Sequence, residues 1–283
     1  MKRRKKLSIQ QVLQRISVYI ILIVTAIFIA FPFYWMVLTT IMPASEVYNT
    51  EIKLFVSHID FTMYHKLLTD PQLPVTRFFI NSLIISIGAT VLNILTAIFA
   101  AYPLSRRKIP GGKIFYYLIV ATMMVPGEVV LIGLYRVVHS MSMYNTYQGM
   151  ILPLAVNAVN FLIIMNYMLT IPRELDEAAI VDGASMWQVL LKIMLPLSKP
   201  AIYSAMLLAF LSAWQNFTIP YLLSSSNDMY PLSVGALFTE NTLFATRQET
   251  LTLSTILTIP TLIIFIFTQR FVFSGITAGA IKG

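Results

Sequence analysis

The 283-residue chain contains no cysteine. Disulfide staples, thiolate metal sites and cysteine nucleophiles are excluded with it. Charge is almost as scarce: 11% of residues are Asp, Glu, Lys or Arg, against about 25% in an ordinary soluble domain. Of the histidines, His58 and His65 are too far apart to share one helical turn, and these two and His139 read as loop residues. No His-Glu-x-x-His run, Gly-x-Ser-x-Gly elbow or phosphate-cradling loop occurs. The expectation is no catalytic residue, no metal centre and no cofactor.

What fills the chain instead is apolar: 57% of residues are hydrophobic and the mean hydropathy is +0.76. Several uncharged runs exceed the roughly 18 residues that mark a spanning helix. Six spans are predicted, at Ile16–Ile41, Phe78–Leu104, Ile114–Val138, Gly149–Ile171, Ala201–Leu223 and Leu251–Phe273. In lipid each must be helical, because every backbone polar group has to be satisfied within its own segment. The predicted fold is an all-α integral membrane protein with six transmembrane helices.

Net charge is +8, and its placement says more than its size. The tail Lys2-Arg3-Arg4-Lys5-Lys6 stands beside a spanning helix, which is a topology signal and not a nucleic-acid site. The run from Ile16 to Thr40 is also far longer than the ~7–15 residues of a cleaved signal core. With the amino terminus inside, most of the basic residues fall on one side: the tail and Arg15; Arg106, Arg107, Lys108 and Lys113; Arg173, Lys192 and Lys199; Arg270 and Lys282. Lys53, Lys66, Arg77, Arg136 and Arg247 fall on the other. Both termini and the loop from Pro172 to Lys199 are therefore expected in the cytoplasm. Two outer segments are long, Met42–Arg77 with Glu46, Glu51, Asp60 and Asp70, and Ser224–Thr250 with a turn-prone start.

The polar loop between the fourth and fifth spans has a definite pattern. Pro172 suits a first helical turn, and Glu174, Asp176 and Glu177 complement the positive end of a helix dipole. Gly183 can take the left-handed conformation that ends such a helix. Ser185 with Gln188 three residues on has the spacing of a capping box that starts another. Helix, sharp turn, helix is a compact projection. Ala178 and Ala179 are small enough for a partner to approach the backbone, and Glu177 and Asp182 offer charge to basic groups on it. An ordinary amphipathic connector would have the same composition.

Glu177-Ala178-Ala179, three residues, Gly183, nine residues, then Ile193-x-Leu195-Pro196 resembles the EAA loop of ATP-binding-cassette importer permeases at every fixed position. Further stretches resemble the carbohydrate-uptake branch, related to the maltose and glycerol-3-phosphate systems: Asn81-Ser82-Leu83, Ala101 to Arg106, Asn145-Thr146-Tyr147, Ile151-Leu152-Pro153, Trp214 to Phe217, Pro231 to Gly235, and Gln269-Arg270-Phe271 through Gly279 to Gly283. They run from Arg77 to the last residue, while the first 76 residues match in layout alone. The resemblance implies a type I ABC importer permease fold in the bacterial cytoplasmic membrane. It divides the chain into a basic tail (1–15), a first helix and outer loop (16–76), a permease core (77–273, coupling loop 172–199) and a C-terminal tail (274–283). It also implies partners: a second permease, two ATP-binding subunits that hydrolyse ATP, and an extracytoplasmic binding protein that delivers a sugar. Glu177 through Gly183 would form the coupling helix, and Gly279–Gly283 would lie near the ATPase.

Polar groups within the spans are the candidates for a substrate path. Glu128, after Pro126-Gly127, is the one carboxylate deep in a predicted span, where an ionisable group is costly and defaults to a functional reading. It is open to three roles: facing the path, bonding the backbone freed by Pro126, or pairing across a subunit interface. Asn93, Asn157, Asn160, Asn166, Gln215 and Asn216 suit a hydroxyl-rich ligand, and equally serve as interhelical bonds. Trp214 with Asn216 offers an aromatic face beside an amide for a sugar ring. Two other classes stand beside a sugar permease: an ABC permease for a non-carbohydrate solute, and a membrane-embedded enzyme. The enzyme would need a reactive constellation at one membrane face, and the sequence shows none.

Overall fold

The computed structural model describes residues 9–47, 53–71, 73–107, 109–240 and 246–280. Every regular element among them is a helix. The tail residues Lys2 to Lys6, Glu51, Lys108 and the last three residues, Lys282 included, lie outside the described residues. In chain order come α1 (Ile9–Thr40), α2 (Ala44–Val47), α3 (Thr62–Thr69), α4 (Val75–Arg106), α5 (Gly112–Thr122) and α6 (Gly127–Ser140). Then follow α7 (Tyr147–Ile151) with a 3-10 turn at Leu152–Leu154, α8 (Ala158–Thr170), α9 (Glu174–Val181) and α10 (Met186–Val189). A π-helical turn at Leu190–Met194 leads to α11 (Leu195–Leu197), α12 (Lys199–Trp214), α13 (Thr218–Leu223), α14 (Leu232–Glu240) and α15 (Arg247–Ala280).

Among the described residues three helices are long and apolar enough to cross a bilayer in one piece, within α1, α4 and α15. The other three predicted spans are broken. The third turns by 102° between α5 and α6, the fourth by 47° between the Tyr147–Leu154 segment and α8, and the fifth is entered through a 78° turn between Met186–Leu197 and α12. Counting each bent pair as one gives up to six by length and composition, although the last pair takes in Met186–Leu197 of the polar loop, ahead of the predicted fifth span. The fifth also stops at Trp214 and resumes as α13, whereas the sequence predicts one run to Leu223.

The breaks have local causes. Pro126 has no N–H to give to a helix, is extended at ψ 133° and stands before Gly127, so α5 closes on tight bonds from Met123 and Met124 and α6 starts in a new direction. At the fourth span Asn157 caps α8, its side-chain oxygen accepting from Val159 N at 2.9 Å and Asn160 N at 3.2 Å. Pro32, Pro103 and Pro260 lie inside helices that continue through them.

The chain divides into two units, residues 1–69 with 242–256, and residues 70–241 with 257–283. In the first, Gln248 Nε2 donates to the carbonyls of Thr39 and Met42, at 3.2 and 2.7 Å, and Lys66 pairs with Glu249. In the second, α4 is the central post. Ile94, Ala97, Ile98, Ala101 and Tyr102 pack against Phe161, Ile164, Met165 and Met168 of α8, and against Val189, Leu190 and Met194 of the polar loop. Lipid is as apolar as these side chains, so close packing holds such helices together, and small residues such as Ala97, Ala101 and Ala205 let the backbones approach.

Candidate functional site

The polar loop folds as a helical projection on the end of α4. Arg173 is the N-cap of α9 and makes no side-chain cap bond, so Pro172 stands one position before the cap and not in the first turn. Gly183 is left-handed at φ +81°, and the amide of Ala184 reaches back to the carbonyl of Ala179 at 2.9 Å, which closes α9 as expected. A Cβ at Gly183 would meet nothing within 4 Å, so the backbone angle alone calls for glycine there. Ser185 and Gln188 form the full capping box, with bonds of 3.3 and 2.7 Å in the two directions.

The motif splits between two faces. Glu177, Ala178, Asp182 and Gly183 are exposed, whereas Ala179 turns toward the core cluster that holds Met168, Val189 and Leu190. The two alanines therefore serve different surfaces, and Ala178 alone is the open one. Leu195 packs on the same core, Ile193 is half-buried and Pro196 is exposed. Beside the charged face stand two apolar side chains that the sequence reading did not single out: Val181, 86% exposed, and Trp187, 58% exposed. Hydropathy averages do not show which members of the short apolar runs Ala178–Val181 and Met186–Trp187 face outward.

Besides the apolar packing already described, three side-chain contacts join this projection to α4. Phe99 meets Trp187 edge to face at 6.0 Å, Tyr102 Oη donates to the carbonyl of Met186 at 3.4 Å, and Arg106 Nε lies 3.4 Å from Asp176 Oδ2. In the sequence Arg106 counts only as a topology charge and Asp176 only as a helix-dipole acid. Their pairing spans too much chain for any spacing rule to reach.

At the other end of the second unit, stretches that carry the family resemblance meet in one polar knot. Asn81 is fully buried; its amide donates to the carbonyls of Asp228 at 2.8 Å and Tyr230 at 2.9 Å, and its oxygen accepts from Tyr147 Oη at 2.7 Å. Ser82 Oγ accepts from Leu232 N at 2.8 Å, and Asn145 Oδ1 from Ser225 N at 2.9 Å. Gly235 sits against the Phe78 ring, so close that an added Cβ would lie 2.2 Å from it.

The four path candidates part company. Glu128 is exposed in the first turn of α6, beside the 102° break, and among the described residues it has no hydrogen-bond or ion-pair partner. It does not bond the backbone freed by Pro126. Asn216, at the α12–α13 break, is half-buried; its side-chain oxygen accepts from Ile219 N at 2.9 Å and so starts α13, next to exposed Gln215. Trp214 is 1% exposed, stacks on Phe210 at 5.7 Å, meets Phe79 edge on and donates Nε1–H to the Leu257 carbonyl at 2.9 Å. Its ring offers no open face beside Asn216. Asn160 is 2% exposed and donates to Asn93 Oδ1 at 2.7 Å, joining α8 to α4. Asn160 thus makes the interhelical bond that was its other alternative, and Trp214 is packed into the bundle.

A groove of about 540 Å³ lies between α4, α12 and α15, lined by Phe79, Leu83, Ile87, Met206, Phe210 and Ile263 among others, with Thr90 its one polar side chain. One hydroxyl cannot replace the many hydrogen bonds that a sugar makes to water.

The family model for the binding-protein-dependent transport system inner membrane component matches residues 93–275. The arabinooligosaccharides transport system permease protein AraQ of Halalkalibacterium halodurans is 32% identical over 256 residues, covering 89% of this chain and 91% of the relative. The trehalose/maltose transport system permease protein MalG of Thermococcus litoralis is 31% identical over 278 residues, covering 97% and 99%. A chain in the crystal structure of a bacterial ABC transporter involved in the import of the acidic polysaccharide alginate shares the fold: TM-score 0.83 at 23% identity, covering 94% of this chain and 99% of that one. By the extent of the family match and of these relatives, the chain is a membrane transport subunit and belongs to the inner membrane components of binding-protein-dependent transport systems.

Proposed function

We propose that this chain is one of two permease subunits of an ATP-driven importer for a sugar or oligosaccharide, working with two ATP-binding subunits and an extracytoplasmic binding protein. The observation that carries the reading is the projection itself: a helix closed by left-handed Gly183, with Glu177, Ala178 and Asp182 on its open side and Val181 and Trp187 beside them. A charged face with an apolar anchor is the build of a docking surface for a soluble subunit. The basic bias puts that surface, and both termini, in the cytoplasm. Ala179, Ile193 and Leu195 hold the projection in place, and Pro196 marks its return to the bundle.

The substrate class rests on the relatives, which are permeases for arabinooligosaccharides and for trehalose or maltose and resemble this chain along nearly all of its length. Glu128 and Asn216 stand at the helix breaks and are the residues proposed to meet it. Hydroxyl-rich ligands are held by groups that donate and accept, and the exposed Glu128 carboxylate with the half-buried Asn216 carboxamide supplies that chemistry. Trp214 and Asn160 are assigned to the bundle. Transport then follows as alternating access, with ATP and the loaded binding protein each biasing the same two-state pore.

Gentle detergent extraction of the tagged chain, with mass spectrometry of what travels with it, tests the reading. A second permease and an ATP-binding subunit are expected, and proteoliposomes of that complex with its binding protein should take up a labelled oligosaccharide. Recovery of the chain alone, in a detergent that preserves a known importer, overturns it. Uptake of an amino acid and of no sugar would overturn the substrate class and leave the importer standing.

A further inference from the structure

We propose that Arg106 and Asp176 form a two-setting joint that makes α9 follow α4 during transport, so that Arg106 is a positioning residue for the coupling step. The inference rests on the importer reading above.

Three side chains of α4, Phe99, Tyr102 and Arg106, follow one another at three and four residues, which lines them up along one helix face. All three contact the loop, the first two at Trp187 and Met186 and the third at Asp176. The first two grip α10. Arg106 is the one that grips α9, the helix that carries the exposed Glu177–Asp182 face. Displacement of α9 by a docked subunit would therefore reach α4 through this ion pair before it reached the aromatic contacts.

The pair is buried and incompletely made. The Arg106 side chain is 2% exposed and that of Asp176 13% exposed. Nε–Oδ2 at 3.4 Å is long for a charge-assisted bond, which runs about 2.7–2.9 Å. Among the described residues, Arg106 Nε, Arg106 Nη2 and Asp176 Oδ1 are all buried without a hydrogen-bond partner. Nε and Nη2 point to the same side of the guanidinium, and a carboxylate laid across that side takes both at once. The atoms left without partners are thus the ones that a bidentate pair would use. Leaving them so is unfavourable in a buried site. A small shift of α9 against α4 would complete the fork. The joint has a one-point setting, seen here, and a two-point setting that belongs to the other nucleotide state.

The absence of cysteine from the chain makes the test clean within this subunit. Spin labels at Leu95→Cys on α4 and Leu175→Cys on α9, both exposed positions, report the distance between the two helices in the whole importer complex. The complex is measured without nucleotide and trapped with ATP and orthovanadate. With Arg106 and Asp176 intact, one narrow distribution is expected in each state. Arg106→Gln and Asp176→Asn should broaden or shift it in both states by about 2 Å, the size of a small helix shift. Arg106→Lys keeps the charge and loses the fork, so it should be narrow in one state and broad in the other. The reversed pair, Arg106→Asp with Asp176→Arg, should narrow the distribution again. Distributions as narrow as wild type in Arg106→Gln and Asp176→Asn would overturn the joint. An Arg106→Lys variant matching wild type in both states would overturn the two settings. Failure of the labelled chain with native Arg106 and Asp176 to bind ATP-hydrolysing subunits at all would count against the importer reading instead.

Discussion

The hydroxyl of Tyr147 donates to the side-chain oxygen of Asn81 across 2.7 Å, while the amide of the same asparagine holds two carbonyls of the 224–232 segment. One buried side chain thus uses both its donors and its acceptor to tie α4 to α7 and to the loop before α14. Because the three bonds converge on Asn81, its loss should cost about 3 kcal/mol, near 1 kcal/mol per net bond, while Tyr147→Phe removes one bond and should cost about 1 kcal/mol. Chemical denaturation of the purified subunit in mild detergent, comparing Asn81→Ala, Tyr147→Phe and the double variant, checks this. A double variant no worse than Asn81→Ala is expected, since both remove the same Tyr147 bond.

Gly235 and Phe78 give a second expectation, about volume. A Cβ at 235 would meet the ring at 2.2 Å, and Phe78 is itself 1% exposed, so neither can retreat into empty space. Gly235→Ala should destabilise the subunit by about 1–3 kcal/mol, the usual range for overpacking. Adding Phe78→Leu should return part of that loss, which a thermal melt of both variants would show.

Glu128 and Trp214 should fail in opposite ways. Glu128→Gln removes charge from an exposed site with no partner among the described residues, so the melting temperature should hold while oligosaccharide uptake kinetics change. Trp214→Phe removes the bond to the Leu257 carbonyl and leaves that carbonyl's acceptor without it. It should lower stability by about 1–3 kcal/mol with substrate preference unchanged. The same two assays run on both variants separate path from scaffold.

On the exposed face, Glu177→Lys and Gly183→Asp should both leave the protein inserted and weaken recovery of the ATP-binding subunit. Their causes differ. The first reverses a charge at the surface. The second puts a side chain where φ is +81°, which glycine adopts freely and most residues at a cost of roughly 1 kcal/mol. Gly183→Asn, a better left-handed residue, should therefore recover more of the subunit than Gly183→Ala. Equal recovery from both would mean that backbone shape at this turn is unimportant for docking.

The apolar runs were legible because lipid demands length and hydropathy, both of which the sequence displays directly. Direction was not. Pro126, Pro153 and Asn157 are plain in the sequence, yet Pro32, Pro103 and Pro260 look the same there and leave their helices unbroken. What separates them is the company: Pro126 stands beside Gly127, and Pro153 shortly before a capping Asn157. The loop motif was legible because its signals, a glycine at the turn and a capping box, act within a few residues of each other. Trp214 and Asn216 are neighbours in sequence but not in exposure, Trp214 being 1% exposed, since adjacency says nothing about which way the last residue of α12 turns. Arg106 with Asp176, and Asn81 with Tyr147, were beyond reach for the opposite reason. Each pair is made by tertiary packing across 66 residues or more, and no local pattern encodes it.

The π turn at Leu190–Met194 is a loop of slack wound into an otherwise α-helical segment. Such a turn carries one residue more than α geometry requires, and here its two buried members, Leu190 and Met194, keep the widened turn seated on the core while Leu191 faces outward. The slack is local. Deleting Leu191 should let the turn relax to α winding with Leu195 and Pro196 still aimed as before. Deleting Gln188, outside the slack, should rotate everything after it by about 100°, the angle per residue of an α-helix. The nine-residue interval between Gly183 and Ile193 is thus a phase setting with one residue of tolerance, and the tolerance sits at a single turn.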